Sequence, residues 1–104
     1  MLNKAFAIDT IKQFVAACSQ RNILFKKVTL FGSTLNGNAN EFSDFDVALI
    51  SNQFSGNTYA DWHLLSPIII KFSQIEPHTF TTQYFEEGDP FIDEIKKTGM
   101  EIEL

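Results

Sequence analysis

"FGSTLNGNANEFSDFDVALI", residues 31–50, ends one apolar run at Gly32-Ser33 and opens the next with two aspartates one residue apart, Asp44 and Asp46. A strand projects side chains i and i+2 from the same face, so the two carboxylates would stand together while Phe45 turns the other way. Like charges held side by side repel, and a buried strand begun in this manner is costly unless a cation sits between them. The other end of the segment offers the complement. Gly32 lets backbone approach a phosphate with no Cβ in the way, Ser33 adds a hydroxyl, and a helical turn starting at Thr34 would aim its N–H groups at the same anion. On the next strand, Asp44 and Asp46 could then bind one or two Mg²⁺ ions that bridge the phosphates, about 3.5–4 Å apart when two are present.

Outward from this segment, Ile8, Ile11, Phe14, Val15 and Cys18 form one stripe at helical spacing across residues 8–21, and Asn22 can end that helix. "VTLF" then reads as a strand stopping at Gly32, residues 34–43 as a short helical turn and a loop, and "FDVALI" as a central strand covered on both faces. Beyond the loop "SNQFSGNTY", residues 59–65 look helical, and Ser66-Pro67 fits the cap and first position of a further helix through "IIIKF". "EPHTFTT" is the next strand, Asp89-Pro90 starts a helix that Gly99 stops, and "MEIEL" is a final short strand. This order describes a small α/β (α+β) domain, residues 1–104, with helices packed on a mixed sheet of about four strands.

The composition narrows the functions this domain could serve. A net charge of -5 argues against a protein that draws its affinity from neutralising a nucleic-acid backbone. It leaves room for a nucleotide, because a carboxylate-held divalent ion supplies the positive charge that phosphates need. The single cysteine, Cys18, suits a reducing compartment, and no window reaches the length of a bilayer span, so the expected location is the cytoplasm. Eleven phenylalanines are a heavy load for so small a core, and some would serve a partner's surface or self-association.

The pattern Gly-Ser, ten residues, Asp-x-Asp resembles the signature of the minimal nucleotidyltransferases of the DNA polymerase β-like superfamily, over roughly residues 28–82, and the order of elements is similar too. That resemblance implies the nucleotidyltransferase fold. It also implies phosphate binding by Gly32 and Ser33, Mg²⁺ binding by Asp44 and Asp46, and a third carboxylate, Glu76, that helps bind metal and activates the acceptor hydroxyl. The implied reaction is Mg²⁺-dependent transfer of a nucleoside monophosphate, AMP from ATP or its counterpart from another nucleoside triphosphate, to that hydroxyl. Single-domain members commonly work beside a helical protein of the HEPN class, as the antitoxin half of a toxin–antitoxin pair, which implies an acceptor on such a partner.

Several residues carry other readings. Glu41, Glu86 and Glu87 are alternatives to Glu76, which precedes a proline suited to a strand start or a sheet edge. His78 would share Glu76's face and could assist proton transfer or orient a carboxylate, although such a histidine more often packs and hydrogen-bonds. His63 reads as structural, and neither a zinc cluster nor a calcium loop has its required spacing. Where relatives often carry an arginine after Gly-Ser this chain has Leu35, Asn36 and Asn38, and segment 32–46 holds no cation, leaving phosphate to metal, backbone, Lys71 or a partner. Those departures support a competing expectation, a catalytically weak domain of this fold that neutralises its partner by docking.

Overall fold

Helix α1, Lys4–Ser19, buries Ala7, Ile11, Phe14 and Cys18 on one side, so the buried stripe begins at Ala7, one residue before Ile8. Its end is a Schellman closure. Asn22 adopts a left-handed φ of 63°, its N–H bonds to the Ser19 carbonyl at 3.0 Å, and Ile23 N–H reaches back to Cys18 at 3.0 Å. The computed structural model describes residues 4–32, 35 and 44–104, so the helical turn expected at Thr34 and the loop after it lie outside the described residues.

Four strands follow: β1 (Lys27–Phe31), β2 (Phe45–Ser51), β3 (Ile75–Thr81) and β4 (Met100–Glu101). Their order in the sheet is β3-β2-β1-β4, with β1 antiparallel to both β2 and β4, and β2 parallel to β3. β2 is therefore interior, as its apolar run predicts. Among the described residues β3 pairs only with β2, and an edge position is one that tolerates Pro77.

Alternation divides the sheet into two faces. Val28, Leu30, Phe45, Val47, Leu49 and Ile75 join α1 and helix α2 (Thr58–Ile69) in the larger core. Phe31, Ala48 and Ile50 face the opposite side, where Phe85 of helix α3 (Thr82–Glu87) and Ile92 and Ile95 of helix α4 (Pro90–Thr98) cover them. Gly99 follows α4 at a point so close to β1 that an added Cβ would overlap the Ile95 carbonyl and the Thr29 methyl.

α2 corrects one expectation. It is a single helix capped by Asn57, with Pro67 inside it rather than at the start of a second one. A proline there cannot bond the carbonyl four residues back, and Ser66 Oγ donates to that His63 carbonyl instead at 3.1 Å. Of "IIIKF", only Ile68 and Ile69 belong to the helix, Ile70 forming its C-cap. α3 was not expected: Thr82 reads as strand by composition, yet the Thr81 hydroxyl accepts the Tyr84 N–H at 3.0 Å and starts a helix. Asp89 caps α4 as expected, accepting from Ile92 N–H at 2.7 Å.

Candidate active site

Phe31, Asp46 and Glu76 are Cα partners in one row across β1, β2 and β3. All three side chains belong to the α3–α4 face, since Phe45 on the other face is fully buried against α1 and α2. The row forces two carboxylates from adjacent strands into one place. His78, two residues beyond Glu76 and on the same face, turns its Nε2 to within 3.2 Å of Asp46 Oδ1. Asp46, Glu76 and His78 each place one ligand atom within 4.8 Å of the others.

The electrostatics record the crowding. Glu76 has its carboxyl raised above its ordinary value, first because it shares a hydrogen bond with Asp46, then through partial burial and the charges of Asp46 and Asp44, with His78 opposing. Among the described residues no lysine or arginine pairs with Asp46 or Glu76, and the His78 imidazole is the basic group beside Asp46. Two carboxylates and an imidazole nitrogen are a donor set that suits a divalent cation.

Gly32 closes β1 directly above this row. Its φ of 83° is left-handed, and a Cβ built on it would run into the Asp46 carboxylate. Glycine at this position therefore does more than bare the backbone to phosphate: it leaves room for the carboxylate itself. Asp44 is exposed, immediately before β2, and stands outside the three-residue group although its charge reaches Glu76. Ser33 and Glu41 lie outside the described residues. Glu86 and Glu87 sit at the end of α3 and do not join the group.

Sequence reasoning missed the aromatic wall. Phe31 stands 5.0 Å and Phe91 5.9 Å from the His78 ring, centroid to centroid, and the two phenylalanines meet edge-on at 5.7 Å. The register makes Phe31 legible afterwards as the partner of Asp46, whereas Phe91 arrives from α4 and no spacing in the sequence announces it. Phe31, Gly32, Leu35, Phe91, Glu94 and Thr98 line a cleft of about 410 Å³ beside the carboxylates.

The family model described as nucleotidyltransferase domain matches residues 11–102, which spans all four strands and the whole carboxylate row. The chain belongs to the nucleotidyltransferase domain family. No curated protein matches it. The small α+β domain with its four-stranded mixed sheet is consistent with the fold of that family. Members typically use a nucleoside triphosphate and Mg²⁺, and Asp46, Glu76 and His78 form a group that could hold a metal ion. None of the helices among the described residues is long and apolar enough to cross a membrane.

Proposed function

We propose that this nucleotidyltransferase domain moves a nucleoside monophosphate, AMP from ATP, onto an acceptor hydroxyl and releases pyrophosphate. The observation that carries the reading is the register-paired Asp46 and Glu76 beside the left-handed Gly32, in a chain of this family. Asp46 and Glu76 hold the divalent cation, for which magnesium is the expectation, and Asp44 adds negative charge at its edge. Gly32 and Ser33 take the triphosphate. When bound, the ion supplies electrophilic activation of the α-phosphorus and neutralises the leaving pyrophosphate. The acceptor oxygen forms the new bond to phosphorus as the bond to the pyrophosphate oxygen breaks, and Glu76 takes the hydroxyl proton.

The acceptor belongs to a partner protein, a helical one of the HEPN class, with this domain as the antitoxin half of the pair. Support for a protein partner comes from α2 and its C-cap, where Tyr59, Trp62 and Ile70 are exposed. Incubating the domain with α-labelled ATP, Mg²⁺ and the helical protein encoded beside it should label that protein, and Asp46→Asn should abolish the label. An intact complex that never acquires label from wild-type protein would replace transfer with docking alone. Labelling that survives Asp46→Asn would remove the carboxylate row from the mechanism.

A further inference from the structure

The third member of the acid cluster is a nitrogen donor. Rigid strands hold it there: Ala48 of β2 pairs with His78 of β3, one step along the same face from the Asp46–Glu76 row. The Phe31 and Phe91 rings pack against the imidazole, at 5.0 and 5.9 Å between centroids. Two ligand atoms on adjacent positions of one ion, each about 2.1 Å from it, stand about 3.0 Å apart in octahedral and about 3.4 Å apart in tetrahedral geometry. The His78 Nε2 to Asp46 Oδ1 separation of 3.2 Å falls between these values. The tautomer with its proton on Nδ1 would present the Nε2 lone pair to the same point that the Asp46 and Glu76 oxygens address.

We propose that His78 Nε2 is itself a metal ligand, so that the Asp46–Glu76–His78 centre takes a first-row transition ion, Mn²⁺ rather than Mg²⁺, as its tighter-bound cation. An imidazole nitrogen is a poorer ligand for Mg²⁺, which keeps oxygen ligands and its waters, than for Mn²⁺, the first-row ion that still accepts the two carboxylates. This rests on the reading of Asp46 and Glu76 as metal-binding acids.

The test needs only the domain and Mn²⁺, with no nucleotide or acceptor. Pulsed electron paramagnetic resonance of the Mn²⁺ complex should show coupling to a directly bound imidazole nitrogen, and competition should find Mn²⁺ bound at least about tenfold more tightly than Mg²⁺. His78→Ala and the bulkier His78→Gln, each checked for native circular dichroism, should lose the nitrogen coupling and about tenfold in Mn²⁺ affinity while Mg²⁺ affinity stays within about twofold. Mn²⁺ binding in the wild-type protein that Asp46→Asn abolishes, yet without nitrogen coupling, would overturn the assignment of His78 and leave the acids in place. Mn²⁺ binding that is absent, or indifferent to Asp46→Asn, would overturn both readings together.

Discussion

At Gly32 two demands meet on one α-carbon. The backbone is left-handed, and the space where a Cβ would sit is filled by the Asp46 carboxylate. Gly32→Ala should therefore cost about 1–3 kcal/mol of stability in chemical denaturation and displace the carboxylate enough to cut transfer at least about a hundredfold. Asp46→Asn should act differently. It relieves repulsion, so the metal-free variant should melt no lower than wild type, while divalent-dependent label transfer falls by about a thousandfold or more. Glu76 sets a pH signature. Its folded carboxyl lies above the ordinary 4.5, so its stabilising contribution is complete below that value and is lost as pH rises through the folded pKa. In chelator, this site should favour the folded protein at about pH 5 over about pH 7.5, and the preference should shrink in Asp46→Asn, as read by thermal melts with the other carboxylates held constant. Asp89 works in the opposite sense, since bonds from the Tyr84 hydroxyl and Ile92 N–H lower its carboxyl and its contribution disappears in acid.

Among the elements, α2 depends on a buried acid far from the catalytic row. Asp61 is 4 % exposed and its carboxylate accepts from Ser55 N–H at 2.8 Å, the Ser55 hydroxyl at 3.0 Å and Gly56 N–H at 3.1 Å. It anchors the loop that feeds the helix. Asp61→Ala leaves those donors unpaired and should lower the unfolding free energy by about 2–3 kcal/mol without changing metal affinity. α2 also marks where the sequence misleads. Ser66-Pro67 has the composition of a helix start, and only once the helix runs through it does the serine reach the His63 carbonyl whose bond the proline removes. α3 was hidden for a related reason, because Thr81 and Thr82 favour strand locally while the hydroxyl of the first caps a helix beginning at the second. By contrast α1, the interior strand β2 and the capped helix α4 follow directly from periodicity and end signals, where local preference and burial agree.

For the molecule as a whole, the legible part of the candidate site is what strand geometry dictates. Period two places Asp46 opposite Phe45, and parallel pairing brings Glu76 beside Asp46. Which residue completes the cluster depends on register and side-chain reach, so His78 takes a place there while Asp44, at the strand's mouth, contributes charge. The departure from an all-carboxylate set thus comes from the fold and not from the spacing of Asp-x-Asp. A divalent ion bound only by the folded domain should raise its melting temperature, with about 2.7 kcal/mol gained at a hundredfold excess over Kd, and Asp46→Asn should erase that gain in calorimetry.

The sealed position of Cys18 turns the larger core into its own clock. The thiol is wholly buried beneath α1, and burial pushes its pKa up to about 12. An alkylating reagent can reach this sulfur only while the helix is lifted from the sheet, so the rate of single-site modification counts openings of the native state. Nature has left one tag where a spectroscopist would have to engineer it, and any occupant of the carboxylate row that steadies the sheet would be read as a slower tick.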